Sequence, residues 1–283
     1  MDPYNLNNNI NSQPQIKYGP EAENFYPFLN RLSGDKKVLF LTTSNRSPYV
    51  EKLGEVSKSS QLAAHLADLL RFKGVDVIVL DVAKLNIYPC LGCVSELHGN
   101  KCGVKESSVK DEKKNPTGNL RCWASHDFED DELWKIVNEL YESDSIVFFT
   151  SQRWGSANSI YQQLIERLDW IENMHSTLEQ ESTVSGKKAG FVCIGQNWRV
   201  EETVKLQKEV LSFFNFDTPD DLFIGWQFTR DQNDETEESY KQAPYTFEQS
   251  FNMELKIPEI KENRSALGMR TFQDFLREIK WEI

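Results

Sequence analysis

Positive charge is what this chain lacks most. Its 32 Lys and Arg stand against 44 Asp and Glu, a formal net charge of -12. That balance argues against nucleic acid and anionic membrane as partners, since both recruit a basic face. No apolar run approaches the roughly 20 residues that cross a bilayer. Cysteine is scarce and odd in number, five in 283 residues, unlike the dense, even pattern of a disulfide scaffold. Met1-Asp2-Pro3-Tyr4-Asn5 has neither the basic nor the apolar region of a secretory leader, so a cytoplasmic protein is expected. The remainder is globular in composition, 39% hydrophobic and 12% aromatic, and long enough to bury a large core.

Residues 1–34 are rich in Asn, Gln and Pro, with aromatics at Tyr18, Phe25, Tyr26 and Phe28. They read as an N-terminal arm lying on the domain or on a partner subunit. An alternation then begins. Short apolar runs predict strands at 37–42, 75–81, 145–150, 187–194 and 221–226, with helices predicted at 58–72, 130–142, 157–171 and 199–213. Leu62, Leu66, Leu69 and Leu70 mark the helical period of the first helix, and Lys73-Gly74 its stop. Strand and helix repeated five times predict an α/β fold, a doubly wound sheet of five parallel strands in three layers. That strand number favours the flavodoxin-like order 2-1-3-4-5 over residues 35–226. Residues 90–127 are a polar insertion within it. Residues 227–283 form a C-terminal extension with an acidic run (Asp231, Asp234, Glu235, Glu237, Glu238) and a predicted helix from Ser265 to Lys280.

In such a sheet ligands bind outside the carboxyl ends of the strands. The first strand runs from Val38 to Leu41 into Thr42-Thr43-Ser44-Asn45-Arg46-Ser47, and a helix starts near Ser59. Hydroxyls, an arginine and the positive end of a helix dipole are what a phosphate requires, which points to Ser44 and Arg46. The third strand exits through Thr150-Ser151-Gln152-Arg153-Trp154-Gly155. There Trp154 could shield a planar ring, or be a rim aromatic packed on the surface, while the N–H groups near Gly155 approach the ring edge. The fourth exits through Cys193-Ile194-Gly195, and Gly195 is either part of that pocket or a turn glycine. Glu166-Arg167 reads as a structural pair on a helix face.

Residues 37–214 resemble the NAD(P)H-dependent FMN reductase family of flavodoxin-like oxidoreductases. The resemblance rests on Ser44-Asn45-Arg46 followed by Ser59-Ser60-Gln61, on Ile87-Tyr88-Pro89-Cys90-Leu91-Gly92-Cys93, on Cys122 followed by Asp130-Asp131, and on Thr150 to Gly155 followed by Gln163-Leu164-Ile165-Glu166-Arg167. It implies FMN held by Ser44, Arg46, Ser59, Ser60, Gln61, Ser151, Gln152, Arg153, Trp154, Gly155 and Gly195. It further implies hydride transfer from NAD(P)H through FMN to a small-molecule acceptor of quinone, azo or nitro type, in a homodimer or homotetramer. No catalytic side chain is assigned. Two departures stand out: Ser151 and Arg153 occupy positions where the family carries Pro and Tyr. An arginine there would stabilise a negatively charged reduced flavin or reach an acidic substrate.

Cys90, Cys93, Cys102 and Cys122 are four thiols in one region, the number an iron–sulfur cluster or zinc needs. Iron–sulfur flavoproteins related to the family carry a cluster in this insertion, but the gaps here are wider, and no metal is the expectation. Cys193 reads as a small buried hydrophobe. A cluster-bearing electron carrier and a non-enzymatic flavodoxin-like binding module are the alternative functions.

Overall fold

The computed structural model describes residues 25–44, 57–195, 199–227, 276–279 and 281. Along the chain run α1 (Phe25–Leu32), β1 (Lys37–Thr42), α2 (Lys58–Phe72), β2 (Asp76–Asp81), α3 (Trp123–Asp127), α4 (Leu133–Glu142), β3 (Ser145–Arg153), β4 (Ser156–Ala157), α5 (Ser159–Ser176), β5 (Lys188–Gly195), α6 (Val200–Phe213) and β6 (Phe223–Gln227). Five strands form a parallel sheet ordered β2-β1-β3-β5-β6. That is the predicted 2-1-3-4-5 order. β4 is a short addition, antiparallel to the end of β3.

Alternation along each strand divides the core between the two faces of the sheet. Val38, Phe40, Val147, Phe149, Val192 and Ile194 point to one face, while Leu39, Leu41, Ile146, Phe148, Phe191 and Cys193 point to the other. The first face is covered by α2 and α1. Phe25, Phe28, Leu29 and Leu32 of α1, spaced at i, i+3, i+4 and i+7, are all fully buried. Each such side chain contributes about 1.5–3 kcal/mol by leaving water. The Phe28 ring meets Phe149 edge-on at 6.4 Å. Leu276 and Ile279 are buried on this face too, and Trp281 donates its indole N–H to the Asn30 side-chain oxygen at 2.9 Å. The rest of the predicted terminal helix, and the acidic run, lie outside the described residues. The second face is covered by α4, α5, α6 and the long segment between β2 and α4.

The amino edge of the sheet is laced by charge. The Asp144 carboxylate accepts the Lys36 and Lys37 N–H groups at 2.7 and 3.2 Å, and Asp35 pairs with Lys188 at 2.5 Å and accepts the Ser145 hydroxyl. These contacts fix how β1, β3 and β5 start relative to one another.

The insertion at 90–127 is not a detached polar loop. Cys93, Cys102, Val109, Leu120, Cys122 and Ala124 join the core of the second face. Its attachment is electrostatic. Arg167 of α5 and Asp131 are both buried and form a two-pronged pair, Nη1 to Oδ1 at 2.8 Å and Nη2 to Oδ2 at 3.0 Å. Arg167 also donates to the Tyr88 carbonyl at 2.5 Å, the Ser125 hydroxyl at 2.8 Å and the Cys122 sulfur at 3.4 Å. Asp131 in turn accepts the Tyr88 N–H at 3.1 Å and the Ser125 hydroxyl at 2.7 Å. The expected helix-face pair is thus corrected: Glu166 is exposed, and the partner of Arg167 is Asp131, 36 residues earlier. A planar five-donor cation can satisfy three chain segments at once, which a lysine cannot.

Burial opposes ionisation of Asp131, but Arg167, Ser125 and Tyr88 outweigh it and hold the carboxyl below its ordinary 3.8. A depressed carboxylate stabilises the fold fully above that value, and the contribution is lost as pH falls through the depressed one. Arg167→Met or Asp131→Asn alone should therefore cost about 3–5 kcal/mol by leaving a buried charge or donor set unpaired. Denaturant melts at neutral pH and at pH 2–3 will check this: the gap between wild type and Asp131→Asn should narrow in acid.

Candidate functional site

The carboxyl edge of the sheet carries the sequence-predicted site residues that are described. β1 ends in Thr42, Thr43 and Ser44, all buried, and Thr43 N–H donates to the Phe149 carbonyl at 3.0 Å, holding this exit against β3. Arg46 lies outside the described residues. The chain re-enters at Ser57, the N-cap of α2. Its hydroxyl does not cap the helix; it is 2.9 Å from the Ser59 hydroxyl, and both are buried. Ser60 and Gln61 follow, half-buried, on the first turn. The first N–H groups of a helix have no intrahelical acceptor and carry its positive end. Here they sit at the edge where β1 stops, the geometry of an anion site.

The exit of β3 is not the open loop the sequence suggested. The strand continues to Arg153, turns through Trp154 and Gly155, and returns as β4, with Gln152 paired to Ala157 and Arg153 to Ser156. Both turn residues have positive φ, 50° at Trp154 and 75° at Gly155, as a two-residue I′ hairpin requires. Glycine adopts that region at no steric cost; a tryptophan does not. Trp154 is also 94% exposed. The turn thus holds a strained, solvent-facing indole beside the exposed Arg153. Strain of this kind persists only where the surroundings over-determine it, and they do. Asn158, fully buried, caps α5 by accepting the Tyr161 N–H at 3.1 Å and donates to the Ser151 hydroxyl at 3.1 Å. Gln162 donates to the Ser156 hydroxyl at 2.8 Å, and the Thr203 hydroxyl of α6 reaches the Gly155 carbonyl at 3.3 Å. Ser151 is therefore engaged from within the protein.

Gly195 ends β5 beside this hairpin. A Cβ there would stand 2.3 Å from Val200 Cγ2 and 2.9 Å from Gln152 Cβ. The glycine is thus neither a turn residue nor simply a pocket wall: its missing side chain lets Gln152 and α6 close in. Gln152, so wedged, has a buried amide nitrogen with no hydrogen-bond partner among the described residues. An orphaned buried donor at a strand end calls for an acceptor.

Sequence reading gave no structural role to Asn158, and named Asp131 and Gln163 only as motif positions, without the contacts they make. The asparagine carried a legible signal, an N-cap residue just ahead of a helical run; the other two act across the fold. Gln163 donates to the Ile87 carbonyl at 2.6 Å. It helps line a recess of about 140 Å³ with Val82, Leu85, Ile87, Ile160 and Leu164, an apolar wall with one amide.

The four thiols of the insertion do converge. Cys93 and Cys102 shift each other's ionisation, Cys102 donates to Asp169 at 3.7 Å, and Cys122 accepts from Arg167. Among the described residues, however, no group of three or more His, Cys, Asp or Glu side chains is arranged to hold a metal ion. Cys193 is fully buried, and burial pushes its thiol up. No described helix is long and apolar enough to cross a membrane.

No protein-family model matches the chain, and no curated protein matches it by sequence. Solved structures do. RosB, crystallised with the intermediate 8-demethyl-8-formylriboflavin-5'-phosphate, aligns at a TM-score of 0.50 and 15% identity, over 85% of this chain and 79% of that one. The fold is flavodoxin-like. An azoreductase from Bacillus anthracis str. Sterne aligns at a TM-score of 0.39 and 18% identity, over 65% of this chain and 85% of its own. The apo form of an NADH:FMN oxidoreductase gives 0.40 and 13%, over 74% and 85%. At such identities the likeness is one of fold.

The flavodoxin-like carboxyl edge predicts a sharp steric result. Gly195→Ala should destabilise the protein by about 1–3 kcal/mol through overpacking against Val200 and Gln152. Urea melts will measure it, with Gly186→Ala, where a Cβ meets nothing within 4 Å, as a comparison that tests backbone strain alone.

Proposed function

We propose that the carboxyl edge binds FMN and that the protein is a flavin-dependent oxidoreductase using NAD(P)H to reduce a small, electron-poor acceptor. The observation that carries this reading is the buried amide donor of Gln152, which has no partner among the described residues and sits beside Gly195 where β3 and β5 end. A planar ring with acceptor atoms along its edge would satisfy it. The helix start at Ser57 to Gln61, with the buried Ser44 and Ser59, supplies the complementary half, a cradle for the phosphate. Arg46 would add the cation that an acidic protein otherwise lacks. Bound there, FMN would supply hydride and electron transfer, chemistry that no side chain in the site provides by itself.

The chain's own residues then do three things. Ser44, Ser59 and α2 hold the anionic end, and Gln152 orients the ring by its amide. Trp154 and Gly155 form a rim held rigid by Asn158 and Thr203, where a flat donor or acceptor can stack and water is displaced. Arg153, exposed beside that rim, attracts the phosphates of a nicotinamide dinucleotide. The apolar recess between Val82 and Leu164 suits the uncharged ring of a quinone, azo or nitro compound. An exposed indole at a pocket rim also favours a homodimer or homotetramer in which a second copy covers it.

The first experiment is the visible spectrum of the purified protein with FMN added. Flavin bands that bleach on addition of NADH or NADPH are expected; failure to bind FMN would leave a non-enzymatic module on the same fold. With FMN bound, Arg46→Ala should weaken FMN by tenfold or more, the value of one charge-assisted contact, while leaving riboflavin affinity unchanged. Equal losses for the two ligands would move the phosphate elsewhere. Arg153→Ala should lower turnover with FMN affinity intact, and unchanged turnover would remove Arg153 from the site.

A further inference from the structure

The thiols of the insertion serve no purpose in the flavin reading, and their arrangement carries a proposal independent of it. We propose that Cys93 and Cys102 are a reversible dithiol–disulfide site, oxidised by hydrogen peroxide or a comparably small peroxide.

The two cysteines stand on chain segments that meet. The Lys101 N–H donates to the Cys93 carbonyl at 2.9 Å, which draws the two chain segments together, and each thiol shifts the ionisation of the other. Adjacent backbones with converging side chains are what a disulfide needs. The pair is held there from below. A Cβ on Gly103 would lie 2.9 Å from the Trp170 carbonyl, so the segment after Cys102 rests directly on α5. Trp123 donates its indole N–H to the Lys101 carbonyl at 3.0 Å, and Asn100 bonds both Cys102 N–H and Asn173.

The neighbours assign the roles. The neighbouring Cys102 brings the Cys93 thiol down to about 7, against burial and the carboxylates of Asp169 and Glu96. Cys93 is thus the attacking sulfur, since the thiolate is the nucleophile. Cys102 is pushed up and stays protonated, with Asp169 Oδ2 at 3.7 Å from its sulfur. Burial and Glu172 raise the Asp169 carboxyl, which suits it to accept that proton. Cys90 is half-buried and its sulfur accepts the Gly92 N–H at 3.4 Å, while Cys122 is engaged by Arg167.

The chemistry balances in two steps. The Cys93 thiolate attacks one peroxide oxygen; an S–O bond forms, the O–O bond breaks, and hydroxide leaves to become water with a proton from solvent. Cys102 then gives its proton to Asp169 and attacks the Cys93 sulfur. The S–S bond forms, the S–O bond breaks, and the second hydroxide leaves as water with that proton. Two thiols lose two electrons in all, and one peroxide becomes two waters. A small dithiol reverses the bond by exchange.

The test uses the full-length chain, reduced, desalted and exposed to stoichiometric hydrogen peroxide. Thiols are then counted after denaturation and the crosslink mapped by mass spectrometry of the digest. The five free thiols should fall to three, with one linked peptide joining Cys93 and Cys102, and dithiothreitol should restore five. Cys90→Ser should lose the same two thiols, whereas Cys93→Ser and Cys102→Ser should form no crosslink. Because the wild-type map is itself decisive, the proposal survives a variant that fails to fold. Five thiols persisting in the wild type, a crosslink involving Cys90 or Cys122 instead, or stoichiometric iron or zinc in the protein as purified would each overturn it.

Discussion

The buried pair between Arg167 and Asp131 is the constraint on which the second face of this protein depends. A flavodoxin-like sheet needs helices on both sides, yet here 63 residues intervene between β2 and β3, and only α4 at their end is a long helix. A segment that size cannot be held by periodic apolar packing, because it has little period. Beside the apolar residues it lends to the core, it is tied down by one cation whose donors reach Tyr88, Cys122, Ser125 and Asp131. The desolvation cost of burying two ions is large, and pairs of this kind are seldom retained for stability alone. What this pair supplies is position: it fixes where the insertion meets α5.

α5 is thereby the strut linking three regions. Its first turn, capped by Asn158, carries the β3–β4 hairpin and so the strained Trp154. Gln163, one turn on, binds the exit loop of β2 and lines the apolar recess. Its middle holds Arg167, then Asp169 and Trp170 beneath the thiol pair. Ligand rim, recess and cysteines thus sit along one rigid element, which makes their relative positions a property of the fold and not of loop conformation.

The two edges of the sheet differ for a physical reason. At the amino edge, carboxylates close onto backbone N–H groups and lysines and leave few polar groups over. At the carboxyl edge the strand ends stop among buried hydroxyls, a helix N-terminus and the amide of Gln152, which has no partner among the described residues. Parallel strands point their unfinished carboxyl ends and the starts of the following helices to the same side, so a site there follows from the topology.

The alternation of apolar strands and amphipathic helices was legible because the sheet is buried on both faces and each element repeats its own period; α2 falls on the residues its leucines marked, 58–72. That Ser44, Gln152 and Gly195 stand at the carboxyl edge of the sheet followed from strand ends alone. The hairpin at Trp154 did not, since its turn carries a tryptophan where local chemistry calls for Asn, Asp or Gly, and only the tethers from Asn158, Gln162 and Thr203 hold it. The role of Gly195 was hidden likewise, for a glycine that admits a neighbour's side chain looks in sequence like one that turns the chain. Nor could spacing pair Arg167 with Asp131 or Cys93 with Cys102. Local periodicity by itself determined which segments become strands and helices; long-range electrostatics and close packing, which exist only after the chain has closed on itself, decided which side chains meet.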